Sequence, residues 1–152
     1  QTINEIEGSA DALFSKGLYQ QAFSAYLKGA SLGSSRSQTY VGYLYSAGKG
    51  TEKDPQKAFD WITKAARQRD PGAENMLGLF YLHGFGTAQN YQAALIWFGK
   101  AAQSGNANAE NSLGVLYRDG LGTPRGYACG AAWFARAAEQ GSPVAEENLG
   151  LM

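Results

Sequence analysis

Apolar residues recur along this chain at helical spacing, in two alternating stripes separated by glycine-rich or polar breaks. Ala73, Leu77, Gly78 and Tyr81 fall at i, i+4, i+5 and i+8, one face of a 3.6-residue period. Asp70 stands before that stripe as an N-cap residue, and Pro71 follows at the first helical position, where a missing N–H costs nothing. Gly84 stops it. A second stripe, Ala94, Trp97, Phe98, Ala101 and Ala102, opens behind Asn90 and ends at Gly105. The pattern predicts two helices joined by a loop.

The pair then repeats. A shift of 36 residues aligns Gly42 with Gly78, Gly114 and Gly150, Tyr45 with Tyr81 and Tyr117, and Trp61 with Trp97 and Trp133. Ala65-Ala66 falls on Ala101-Ala102 and Ala137-Ala138, and Ala73-Glu74 on Ala109-Glu110 and Ala145-Glu146. The loop Gly48-x-Gly50-Thr51 returns as Gly84-x-Gly86-Thr87 and Gly120-x-Gly122-Thr123. Ten positions are thus identical in three copies without a gap, and caps recur with them at Asp70, Asn106 and Ser142. Arg69 stands where later copies have Gly105 and Gly141, so its turn is expected to differ.

No single pair can hide its own aromatic face, but stacked pairs can. The expected fold is all-α, an α-solenoid of stacked antiparallel helix pairs forming one domain over residues 1–152. Units fall at 1–36, 37–72, 73–108 and 109–144, with 145–152 starting a further repeat or a cap. In this reading Gly78 and the alanine pairs let backbones approach, while one Trp and one Tyr per copy fill the core between layers. The first unit lacks the double-glycine loop and reads as an ordinary tetratricopeptide-like pair. At Met152 the apolar face is left uncapped, which suggests truncation or packing against something else.

Composition and charge narrow the function. Only three Val and four Ile stand against 20 Gly and 24 Ala, which argues against a β-sandwich or barrel. The 13 basic and 13 acidic residues balance, so no basic surface invites nucleic acid or acidic membrane. No apolar run approaches the roughly 20 residues of a membrane-spanning helix. A lone cysteine, Cys129, excludes an internal disulfide. The chain opens on Gln1, which fits a processed export signal or a trimmed start.

The unit Ala-x3-Leu-Gly-x2-Tyr-x2-Gly-x-Gly-Thr followed by Ala-x2-Trp-Phe-x-Lys-Ala-Ala-x2-Gly resembles the Sel-one-like repeat family, a branch of the tetratricopeptide superfamily with a longer inter-helix loop. The fullest copy runs from Ala73 to Asn108, and the resemblance covers residues 37–152. Gly130, Gly126 and Arg136 depart from the Ala, the cap and the Lys of the pattern. The resemblance implies a right-handed superhelix and a non-catalytic module, without cofactor, that binds another protein or peptide on its concave face. It also implies a bacterial protein in the periplasm or secreted, with a cytoplasmic location as the alternative. The expected role is an immunity protein against a secreted toxin, or an adaptor in envelope assembly or signalling.

Chemistry is sparse. The single histidine, His83, has no second His or paired Cys for a metal site and closes a first helix, where a cation suits the dipole. A hydrolase acting on cell-wall or β-lactam-type substrates through His83 and nearby carboxylates is the weaker alternative, because no convergent partner is evident. Glu74, Glu110 and Glu146 sit in first turns, where negative charge offsets the macrodipole. The glycine loops lack the Gly-Lys-[Ser/Thr] ending of a phosphate-binding loop. No neighbouring cation suggests a reactive Cys129.

Function is instead expected where copies differ on a shared face. Thr39, Tyr43 and Ser46, then Asn75, Leu79 and Leu82, then Asn111, Val115 and Arg118, then Glu147 and Leu151 lie on first helices off the Leu-Gly-Tyr stripe. They form the candidate partner-binding concave face. The loop tips Lys49, Phe85 and Leu121 form a second candidate surface.

Overall fold

Most helices begin where the sequence offers an oxygen to the orphan N–H groups of the first turn. Asp70 accepts from Ala73 N at 3.0 Å, Asn90 from Ala93 N at 3.0 Å and Asn106 from Ala109 N at 3.0 Å. A computed structural model describes residues 1–152 as nine helices. These are α1 (Ile3–Ser15), α2 (Tyr19–Ser31), α3 (Ser35–Ala47), α4 (Pro55–Arg67), α5 (Pro71–His83), α6 (Tyr91–Gln103), α7 (Ala107–Asp119), α8 (Tyr127–Glu139) and α9 (Pro143–Gly150). Gly126, in the cap place of α8, leaves that helix without a side-chain cap.

Helices pack on their neighbours in sequence, and the buried core lies between pairs as well as within them. Ala58, Ile62, Ala65 and Ala66 of α4 meet Ala73, Leu77 and Phe80 of α5. Ala94, Phe98, Ala101 and Ala102 of α6 meet Ala109, Leu113 and Leu116 of α7 in the same way. The second helix of one pair is thereby sealed by the first helix of the next, as a solenoid requires.

The recurring helical glycine has a more specific task than letting backbones approach. A Cβ on Gly78 would lie 2.6 Å from the Phe98 ring, on Gly114 2.5 Å from Phe134, and on Gly42 2.5 Å from Ile62. Each glycine is a socket for the residue just after the recurring tryptophan, and that residue is fully buried. The tryptophans themselves are only half-buried, which corrects their expected role as core. Each covers the edge of the preceding core while a cation lies over its ring: Lys64 on Trp61 at 4.5 Å, Lys100 on Trp97 at 4.2 Å, Arg136 on Trp133 at 4.9 Å.

The double-glycine loop joins one pair to the one before it. Gly84 caps α5 in the left-handed region at φ 67°, and its N–H reaches Phe80 O. Gly86, at φ 70°, presses on the first turn of α4, where a Cβ would lie 2.2 Å from Pro55 O. A Cβ on Gly50 would likewise clash with Tyr19 O of α2, and one on Gly122 would lie 2.7 Å from the Tyr91 carbonyl carbon of α6. The first pair has only residues 16–18 between its helices, against 48–54 in the next, so it carries no such loop. Arg69 corrects another expectation. It adopts φ 66°, beside 81° and 82° for Gly105 and Gly141, so the turn is kept by an arginine in a left-handed conformation.

Two glycine substitutions separate these roles. Gly86→Ala meets both the left-handed penalty and a backbone clash, and should cost about 2–5 kcal/mol in urea unfolding. Gly99 lies inside α6 with nothing within 4 Å of its Cβ position. Gly99→Ala should stabilise by up to about 1 kcal/mol. Equal effects of the two would contradict the docking role of the loop.

Candidate functional site

The first helices of successive pairs leave a trough between α3 and α5. Towards its N-terminal end a cavity of about 340 Å³ is lined by Phe14, Thr39, Tyr40, Tyr43 and Met76. One helical turn further along lies a cavity of about 250 Å³, lined by Ser46, Leu79, Phe80, His83 and Phe85. Five of these ten side chains, Phe14, Met76, Leu79, Phe80 and Phe85, are hydrophobic, and Tyr40 and Tyr43 add aromatic faces.

Packing fixes this wall. Phe14 meets Tyr40 edge-on at 5.7 Å and Tyr43 at 6.4 Å. Tyr40 stacks on Tyr26 at 4.4 Å, with the rings 3° from parallel. The Tyr26 hydroxyl donates to Asp11 Oδ1 at 2.5 Å, and burial followed by that carboxylate holds its phenol well above the usual range. Asp11 also accepts from Arg36 at 2.9 and 2.8 Å, and Arg36 lies over Tyr40 at 5.1 Å. The aromatic end of the trough is therefore braced from behind by an ionic network.

Of the expected concave-face residues, the structure brings Thr39, Tyr43, Ser46 and Leu79 together in the trough. Leu79 and Leu82 both pack on the α6–α7 core, but Leu82 lines neither cavity. Asn111 is engaged by α9, its Oδ1 accepting from Asn148 at 3.0 Å. Arg118 pairs with Asp119 at 2.7 Å, and neither it nor Val115 lines a trough cavity. Asn75 has a buried Oδ1 without a partner.

The loop tips do not form a separate surface. Phe85 is half-buried against Phe80 at 4.9 Å and lines the second cavity. Lys49 folds back so that Nζ donates to the Tyr43 hydroxyl at 3.4 Å, and Leu121 packs on the α6–α7 core.

Sequence reasoning missed Phe14, Tyr40, Met76, Phe80 and His83 as lining residues. Phe14 was detectable: α1 matches α3 at a shift of 32, because its loop is four residues shorter, which sets Phe14 beside Ser46. The others needed the relative rotation of two helices. A trough shows the facing flank of each wall, so α3 offers Tyr43 where α5 offers Met76 and Phe80.

Stacked 36-residue helix pairs with an open trough along their first helices define an α-solenoid scaffold. The Sel1 repeat profile matches residues 35–70, 71–106 and 107–142, and the chain belongs to the Sel1 repeat family. Repeats of this class typically mediate protein–protein interaction. A Sel1 repeat protein from Oxalobacter formigenes is similar at 34% identity and TM-score 0.89, over 99% of this chain and 60% of that one. A protective antigen of uropathogenic Escherichia coli strains, c5321, with an SLR fold, is similar at 31% identity and TM-score 0.83, over 93% of this chain and 33% of that one. The chain therefore spans less than two thirds of either relative. Helicobacter pylori cysteine rich protein B shares the fold at 22% identity and TM-score 0.68, over 86% of this chain and 94% of that one. No curated protein sequence matches the chain. No helix is long and apolar enough to cross a membrane.

The repeated first-turn glutamates differ from the simple dipole reading. Glu74 and Glu110 are buried, at 0% and 1% exposure, and turn towards the C-terminal end of the second helix of their own pair. Glu110 is served there by Gln140, whose Nε2 donates to Oε2 at 2.9 Å, and by Arg136 at 3.4 Å. Gln38, in the same place on α3, accepts from Gln68 Nε2 at 2.9 Å. The middle pair has Ser104 as donor position, too short to reach, and neither Glu74 oxygen accepts a hydrogen bond. Arg69 Nε lies 3.2 Å from Oε1 but is poorly aligned, and its side chain is 62% exposed, so water screens the pair. Burial wins and raises the Glu74 carboxyl above its ordinary range, while Arg69 and Lys100 oppose it. Asn75 suffers the same shortage, because Ser112 stands where α9 has Asn148 and donates to Asn108 O at 3.0 Å instead. Every buried side-chain oxygen lacking a partner belongs to Glu74 or Asn75, near the start of α5.

Ser104→Gln should supply the missing amide and stabilise the chain by about 1 kcal/mol, read as a higher urea midpoint. A carboxyl with a raised folded pKa takes up protons on folding, so its penalty grows as pH rises through the window between its ordinary and raised values. The stability difference between Glu74→Gln and wild type should therefore move in favour of the variant as pH rises through that window, then level off. A difference that moves in favour of wild type as pH rises would contradict the dominance of burial.

Proposed function

We propose that this chain is a non-catalytic interaction module that holds an extended segment of another protein in the α3–α5 trough. The observation that carries the reading is the pair of adjoining cavities, walled by Phe14, Tyr43, Met76, Leu79 and Phe85. Aromatic anchors of this kind dominate binding energy at protein interfaces. The alternative of a hydrolase loses support, because none of the ten lining residues is a carboxylate and His83 has no acid to orient it in the trough.

The location proposed is outside the cytoplasm, which the resemblance to a protective antigen supports. Fractionation of the native cell tests it: recovery with a periplasmic marker agrees, and recovery with a cytoplasmic one disagrees. An immunity role and an adaptor role then differ in partner. The first predicts one toxin domain held stably, the second an endogenous envelope protein held weakly.

Tyr43→Ala combined with Leu79→Arg should weaken capture of a specific partner by roughly 30-fold or more, with helical circular dichroism unchanged. Arg118→Glu should leave capture within about threefold, as a position outside the trough should. The reverse ranking would move the site to the α7 end of the face.

A further inference from the structure

We infer that the segment held in the α3–α5 trough is acidic: an extended stretch with two apolar side chains two residues apart and an aspartate or glutamate beside them. The inference rests on the trough being the binding surface, and it adds the chemistry of the occupant.

Spacing sets the apolar part. On α5, Met76 marks the first cavity and Phe80 falls among the residues of the second. Four helical residues rise about 6 Å. Side chains on the same face of an extended chain are about 6.6–6.8 Å apart, which matches. A helical ligand would put its i and i+4 side chains at a similar rise, but it would need a groove wide enough for a whole helix of about 10 Å diameter. The two cavities, of about 340 and 250 Å³, lie in line along α5 and suit the alternate side chains of such a strand.

Charge sets the rest. All five ion pairs of the chain use arginine, and no lysine takes part. Lys49 and Lys53 stand over rings that wall the trough, with Nζ 5.7 Å from the Tyr43 centroid and 5.7 Å from the Phe85 centroid respectively. The acids of their own loop do not neutralise them. Asp54 is committed to the Lys57 N–H at 3.1 Å, and Glu52 is exposed and pairs with neither lysine. The trough floor has no carboxylate. A ligand carboxylate at the rim would meet two cations held in place by aromatic faces, beside apolar side chains already desolvated.

The test is selection of random linear peptides on phage against the immobilised full chain, followed by affinity measurement of synthetic winners. Enrichment of two apolar residues at i and i+2 with an adjacent Asp or Glu is expected. Binding should weaken about tenfold or more in Lys49→Glu/Lys53→Glu, and selection on that variant should return Lys or Arg in place of the acid. Peptides that need Tyr43 and Leu79 but carry no acid, and bind the charge-reversed variant equally well, would overturn this inference and leave the trough standing as the site. Peptides indifferent to Tyr43→Ala/Leu79→Arg would overturn both.

Discussion

Close approach of one backbone to another sets the geometry of this molecule. At Gly50, Gly86 and Gly122 the loop of one pair lies on the first turn of the preceding pair's second helix, closer than any Cβ permits. Within a pair, the Gly42, Gly78 and Gly114 sockets receive Ile62, Phe98 and Phe134. The loop contact fixes how far apart pairs stand, and the socket fixes how each pair closes. The first-helix face inherits its trough from both, because the distance between α3 and α5 follows from the stacking of their pairs.

Repetition and function therefore occupy different residues. Positions that recur every 36 residues build the joints, and a joint that failed in one copy would end the stack. Residues that vary from copy to copy face the trough or the polar ends, where small changes alter one site only. Ser104 and Ser112 show the same freedom with a structural consequence: they stand where Gln140 and Asn148 serve other copies, and Glu74 and Asn75 are left without partners. The middle of the solenoid is thus less well satisfied than the α7–α9 end.

Much of the fold was legible because its signals are local. Caps at Asp70, Asn90 and Asn106, stops at Gly84 and Gly120, and the 36-residue register require nothing beyond the neighbouring turn. Two features that differ from the sequence reading depend on distant partners. Burial of Glu74 depends on α6, and the half-exposure of Trp97 depends on Phe98 taking the Gly78 socket. Arg69 was misread for another reason: glycine is favoured at positive φ, but an arginine adopts the same turn when the surrounding helices hold it there. In the trough, Tyr43 and Leu79 follow from helical phase alone. Met76 and His83 required knowing how α5 is rotated towards α3, and Lys49 required seeing a loop fold back.

Site-specific photo-crosslinking in the native cell tests the central claim most directly. A benzophenone amino acid at Leu79, in the trough, is compared with one at Ile96, which is 58% exposed on α6. The account predicts a discrete protein adduct from position 79 and none from position 96. An adduct from position 96 alone would place the binding surface on the second helices and contradict it.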